Sequence, residues 1–264
     1  YDRSTHNTGL FALWQGRWRA LDVQAGLRGD DYSTFGTHGG GSLALGTEIS
    51  TTTRLWASYG SAFRAPNANE LYSPGFGGLF AGNPDLGPER SRSAELGLTL
   101  KASASEKVKV NAFETRIDDL IAFQGANFQA INVDSATITG VELEYELLHG
   151  RWRHQANLTA QRARNDVDHS PLLYRPDQKA TYAVHRLLGG GGSIGAELQL
   201  VSERAGLTDR LPGYGLVSLA AHWPVAAGWF LEGRLENLFD KDYELVEGFN
   251  TPGRSLFVSV RYAP

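Results

Sequence analysis

The chain has 264 residues, a formal charge of −4 and no cysteine. That length leaves room for one large barrel or two small domains, the acidic balance argues against a nucleic-acid partner, and a disulfide framework or thiolate metal site is excluded. Mean hydropathy is −0.30, and the sequence contains no apolar run of about eighteen residues, which excludes a transmembrane helix but not a membrane barrel.

From the N-terminus onward, period two dominates. Leu21, Val23, Ala25 and Leu27 alternate with Asp22, Gln24 and Arg28. Ala94, Leu96, Leu98 and Leu100 alternate with Ser93, Glu95, Gly97, Thr99 and Lys101. Val141, Leu143, Tyr145 and Leu147 share a face opposite Glu142, Glu144 and Glu146. The pattern recurs at Ala156/Leu158/Ala160, at Ile194/Ala196/Leu198/Leu200 and at Leu256/Val258/Val260/Tyr262. It predicts about thirteen strands, near 8–14, 18–30, 40–48, 53–63, 91–102, 107–117, 130–148, 152–163, 174–188, 193–203, 213–223, 229–238 and 254–263. Each approaches the roughly 9–11 residues that cross a bilayer at a tilt.

Tight links are expected near Gln15-Gly16, Ser50-Thr51, 103–105, His149-Gly150, 189–192 and 226–228. Longer ones are expected at 31–39, 64–90, 118–129, 164–173, 204–212 and 239–253. Strict alternation puts every long loop on one side, as in outer-membrane barrels. The expected fold is therefore all-β: an antiparallel transmembrane β-barrel. An odd strand count would leave an open edge in lipid, at several kcal/mol per unpaired backbone group. The chain also opens on Tyr1 and contains no methionine, as expected of a fragment of a mature region. Residues 1–264 are thus expected to be the C-terminal portion of a larger barrel, about 22 strands in plugged transporters.

On this reading the polar faces line the lumen. Glu142, Glu144 and Glu146 would point inward, and the turn at His149-Gly150 would bring Arg151 and Arg153 back beside them as cross-strand partners. A solvated polar face of an ordinary sheet is the alternative. Trp56, Trp152, Trp223, Trp229, Tyr145 and Tyr262 would form interfacial girdles, unless they reflect only the strand propensity of aromatics.

Two stretches carry a family likeness. Leu235-Glu236-Asn237-Leu238-Phe239-Asp240-Lys241-Asp242-Tyr243 resembles the penultimate-strand signature of TonB-dependent outer-membrane transporters. Tyr59 to Asn67, running into Asn83-Pro84-Asp85-Leu86-Gly87-Pro88-Glu89, is similar to that family's long-loop signature. Pro171-Leu172-Leu173 followed by Tyr174-Arg175, Arg28 to Gly39, Ile117 to Ile121 and Asn237 to Arg254 resemble the cobalamin-transporting branch. There a basic pair follows Pro-Leu-Leu at the ligand mouth; here Tyr174 replaces its first member and Arg175 keeps the second.

The resemblance implies that outer loops capture a scarce ligand above a plug, and that an inner-membrane TonB complex moves the plug by pulling near the N-terminus. The ligand would be cobalamin, or alternatively a ferric siderophore; a passive porin is the reading from another class. Candidate ligand contacts are Tyr174 and Arg175, with Tyr72, Phe76 and Phe80 in the glycine-rich loop 64–90, which could equally be a structural loop stiffened by prolines. No covalent cofactor is implied, and calcium only through the N-terminal part that precedes this region in the family. The implied setting is a monomer in outer-membrane lipid. Asp166, Asp168 and His169 read as a solvated loop rather than a metal site. No nucleophile elbow is present, and no catalytic residue is assigned.

Overall fold

The computed structural model describes residues 4–125 and 127–263. Thirteen strands form one antiparallel sheet whose spatial order follows the chain. In order they are β1 (Asn7–Trp18), β2 (Leu21–Tyr32), β3 (Gly36–Glu48), β4 (Thr53–Arg64), β5 (Glu89–Ser103), β6 (Glu106–Gln124), β7 (Gln129–His149), β8 (Trp152–Asn165), β9 (Gln178–Leu187), β10 (Ser193–Val201), β13 (Tyr214–Ala226), β14 (Trp229–Glu236) and β15 (Ser255–Tyr262). A two-residue ribbon, β11 (Arg204–Ala205) with β12 (Arg210–Leu211), decorates the connection between β10 and β13, and one short helix, α1 (Ala68–Tyr72), lies in the connection after β4.

The expected strands are all present, but two expected loops are largely strand. β6 and β7 reach 19 and 21 residues and pair through the expected loop 118–129 as far as Gln124 opposite Gln129. About half that length is enough to cross a bilayer, so the hairpin projects well beyond the sheet. Its upper part has an apolar core of its own: Ile121 and Ala130 cluster with Leu71 and Leu86 of the neighbouring loop, and Val133 and Ala136 are also buried. Likewise β2 and β3 pair through 31–39 up to Tyr32 opposite Gly36, which leaves a turn of only Ser33, Thr34 and Phe35.

Register turns period two into continuous rows. Leu55, Leu98, Val110, Leu143, Leu158, Ala180 and Leu200 stand side by side across seven strands. The adjacent row, one residue along, is Arg54, Thr99, Lys109, Glu144, Asn157, Thr181 and Gln199. The burial is inverted relative to a water-soluble sheet: Leu96, Leu158 and Val258 of the apolar face are 54%, 48% and 64% exposed. Among the described residues no large side chain is fully buried.

The acidic row pairs differently from the expectation. Glu144 and Glu146 lie opposite Lys109 and Lys107 of β6, with Lys109 Nζ at 2.5 Å from Glu144 and Lys107 Nζ at 3.8 Å from Glu146; Glu142 lies opposite Asn111. Arg153 lies opposite Leu148 and Arg151 is in the turn, so neither is the acids' cross-strand partner. The tight turn sets the β7–β8 register one pair too far along for Arg153 to meet Glu146.

Trp152, Trp223, Trp229 and Tyr262 do lie on the apolar face near short turns. Trp229 and Tyr262 have ring centroids 4.9 Å apart, and the Arg186 guanidinium lies 5.3 Å over Trp152. Trp14 and Trp18 share that face through β1. Trp56 does not: its register neighbours are Gly46 and Gly97, which puts it on the polar face. A Cβ on Gly97 would collide with the Trp56 ring, so the glycine makes the seat for this indole.

Candidate ligand-binding site

All long connections emerge at one end of the sheet, which gathers the candidate residues there. The connection from β4 to β5 is a folded unit. Arg64 donates to Glu89 through Nε at 2.7 Å and Nη2 at 2.8 Å, and through Nη1 to Glu70 at 2.9 and 3.0 Å. Asn67 Oδ1 accepts the Asn69 and Glu70 amides while Glu70 accepts the Asn67 amide at 2.8 Å, a complete capping box that starts α1. Glu89, 8% exposed, also accepts the buried Ile121 amide at 2.7 Å. Asn132 of β7 closes the far side, accepting from the Gly87 amide at 2.9 Å and donating to the Gly87 carbonyl at 3.0 Å. The long-loop signature therefore works as scaffolding that ties the loop to the β6–β7 hairpin.

On that scaffold the three aromatic candidates differ. Tyr72 packs against the small core of Leu71, Leu86, Ile121 and Ala130. Phe80 stacks on Phe128 with centroids 5.5 Å apart and an interplanar angle of 14°, and lies 6.0 Å from Phe123. Phe76 closes a tight bridge with Leu79 and its ring is 87% exposed. Of the three, Phe76 is the most exposed, with Phe80 at 41%.

Tyr174 and Arg175 belong to another loop cluster, with β5 to β8 between the two loops. Tyr174 starts no strand: β9 begins at Gln178. It has φ 60°, and its amide donates to the Ala205 carbonyl at 2.8 Å. Burial, and then the nearby Glu247 carboxylate, hold its phenol above the ordinary tyrosine range. Arg175 is exposed. Asp168 accepts the Ser170 amide at 2.9 Å and Asp166 accepts the Thr137 hydroxyl at 3.0 Å, so both shape the turn.

Sequence reasoning missed the knot that joins three of these loops. Arg204, 4% exposed, donates to the Glu244 carbonyl and lies 5.5 Å over the Tyr214 ring. Tyr214 in turn packs on Tyr243, centroids 4.5 Å apart. Glu247 accepts the Leu207 and Thr208 amides at 2.8 and 3.0 Å and the Thr208 hydroxyl. The bonds from Arg204 to Glu244 and from Leu207 and Thr208 to Glu247 span about forty positions, so no periodicity could reveal them. The penultimate-strand signature closes the same knot: Asn237, at φ 48°, accepts the Lys241 amide at 2.8 Å and donates to the Lys241 carbonyl at 2.9 Å.

The Thr208 hydroxyl, followed by its amide, holds the Glu247 carboxyl below its usual value of 4.5. A depressed carboxylate stabilises the loop tie fully above the unfolded value and loses that contribution as pH falls through the lower folded value. Amide exchange at Leu207 and Thr208, relative to intrinsic rates, is therefore expected to stay slow down to about pH 4.5 and to accelerate below it. Glu247→Gln should show the acceleration already at pH 7; equal protection in that variant would remove Glu247 from the tie.

The comparisons with known proteins bear on this arrangement. A family model described as TonB dependent receptor-like, beta-barrel, matches residues 1–238. The chain belongs to the TonB-dependent receptor β-barrel family. Similar solved structures include the copper transporter OprC, at 23% identity and TM-score 0.80 over 98% of this chain and 47% of that one. A mutant of the ferric enterobactin receptor PfeA from Pseudomonas aeruginosa matches at 20% identity and TM-score 0.80, over 98% of this chain and 45% of that one. The siderophore receptor PirA from Acinetobacter baumannii matches at 18% and 0.80, over 98% and 46%. At these identities the likeness is one of fold, and the chain spans a little under half the length of the proteins it matches.

Proposed function

We propose that this chain is the C-terminal wall and loop set of an outer-membrane TonB-dependent transporter, and that the whole protein imports a large metal chelate. The observation that carries the membrane setting is the inverted burial. Rows of leucine, valine and tryptophan face outward, while charged rows pair with one another on the opposite face. A lipid-facing charge costs roughly 2–4 kcal/mol at the bilayer midplane, and the central apolar row from Leu55 to Leu200 contains no charged residue. Family membership removes the support for a passive porin. Energy would come from a TonB complex acting on the N-terminal part of the full-length protein.

Cobalamin is the first ligand we propose, on the sequence resemblance at 28–39, 171–175 and 237–254. A ferric siderophore is the second; it is favoured by neighbours whose names specify siderophore or ferric-enterobactin reception. In both cases the exposed Phe76 and Arg175 would touch the ligand, while Tyr72 and Tyr174 would set the loops that present them. Titration of the full-length protein with cyanocobalamin and with ferric enterobactin separates the two. Saturable binding of cobalamin alone is expected on the first reading, and of the ferric complex alone on the second. Saturable binding of neither would sink the proposal of a large chelate.

A further inference from the structure

On the apolar face of β5 to β8, the leucine and valine rows stop at Leu96, Ala112, Val141 and Ala160, which stand side by side. The next row toward the long loops is Ala94, Glu114, Thr139 and Arg162, and the one after it is Arg92, Arg116, Thr137 and Arg164. Arg90 follows above Arg92. Arg92 and Arg116 are thus directly opposed across two strands, a like-charge pair that a sheet disfavours. They share a single carboxylate: Arg92 Nη2 is 2.6 Å from Asp118 and Arg116 Nε is 3.3 Å from it. Both remain more than half exposed, at 55% and 54%. Arg164 makes only a long contact, 3.9 Å, with Asp177. Five guanidiniums thus stand among four carboxylates, Glu114, Asp118, Asp177 and Asp166, the last accepting the Thr137 hydroxyl at 3.0 Å, on a surface that continues without a break into the greasy band.

Resting on the membrane reading above, we propose that this row holds the phosphate of an anionic lipid in the outer leaflet, with the lipid's acyl chains lying along Leu96, Val110 and Val141. The heights agree. Successive rows are about 7 Å apart along a strand, or about 5 Å in height at a tilt of about 45°. Arg162 therefore lies one row, and Arg92 and Arg116 two rows, above the last apolar row. The headgroup layer is about 5–7 Å thick on each side, and an arginine stem can lean down along apolar surface to place its head there. Guanidiniums grip phosphate through paired N–H donors, and two adjacent ones relieve their mutual repulsion by sharing the anion. A soluble ligand entering through the loops would meet the opposite face.

The test uses the full-length protein in dodecyl maltoside, titrated with dioleoyl phosphatidic acid or with phosphatidylcholine of the same chains, and bound lipid counted by native mass spectrometry. Phosphatidic acid should bind about tenfold better at low salt, and the preference should weaken as salt is raised. Joint replacement Arg92→Gln, Arg116→Gln and Arg162→Gln should abolish the preference. Asp118→Asn, which removes the shared carboxylate and keeps the shape, should increase it; this variant decides the matter even if the triple variant assembles poorly. Equal binding of the two lipids, a preference untouched by the triple variant, no gain with Asp118→Asn, or displacement by equimolar inorganic phosphate would each overturn the proposal. Such a failure would leave the membrane face standing if Leu158→Arg still blocks assembly; normal assembly of Leu158→Arg would take down both.

Discussion

Leu158→Arg should abolish assembly of the full-length barrel, whereas Asn157→Arg, one residue away, should assemble normally. Leu158 stands in the middle of the apolar row between Leu143 and Ala180 and is 48% exposed. In water an arginine there would cost little. Against hydrocarbon it costs roughly 2–4 kcal/mol at the midplane, a large share of a typical stability of about 5–15 kcal/mol. Asn157 lies on the other face, opposite Glu144 and Thr181, where a new guanidinium gains an acidic neighbour. The folded fraction, read as the heat-modifiable band in gel electrophoresis, should fall to near zero for the first variant and match the parent for the second. Equal behaviour of the two would refute the face assignment.

The second large effect concerns the loop scaffold. Glu89→Ala leaves the Ile121 amide buried without an acceptor and deprives Arg64 of two of its bonds. An unsatisfied buried donor and a lost charged hydrogen bond together are worth about 2–3 kcal/mol. That loss should fall on the unit built from 65–88 and the upper β6–β7 hairpin, because the sheet below has its own continuous ladder. Limited proteolysis should then cleave the loop near Phe76 to Phe80 while the barrel stays heat-modifiable, and ligand affinity should drop at least tenfold. Unchanged protease resistance would show that Leu71, Leu86, Ile121 and Ala130 hold the loop without the ionic clamp.

The sequence made the sheet legible because register and alternation are the same signal. Once Leu98 and Leu143 are read as outward, the partners Val110 and Leu158 follow from the tight turns between them. Trp56 was misread because a large aromatic in a strand does not announce its face; the glycine that receives it, Gly97, sits about forty residues away. The partners of Glu144 and Glu146 were misassigned because basic residues flank the acids on both sides in sequence, at Lys107/Lys109 and at Arg151/Arg153, and only the two registers decide between them. The loops were legible as loops but not as contacts. The capping box at Asn67 and Glu70 is a local pattern and could have been read. The meetings of Glu89 with Ile121, of Arg204 with Tyr214 and of Glu247 with Thr208 depend on chain paths that no period encodes. The same holds for the bond from the Tyr174 amide to the Ala205 carbonyl.

Lipid exposure along β8 can be measured residue by residue. Spin labels placed singly at 154 to 161 in the full-length protein, reconstituted in bilayers, report collisions with oxygen or with a water-soluble nickel chelate. Labels at His154, Ala156, Leu158 and Ala160 should favour oxygen, and those at Gln155, Asn157, Thr159 and Gln161 the chelate, alternating at every step. A flat profile, or high chelate access at Leu158, would contradict a wall that stands between lipid and an aqueous interior.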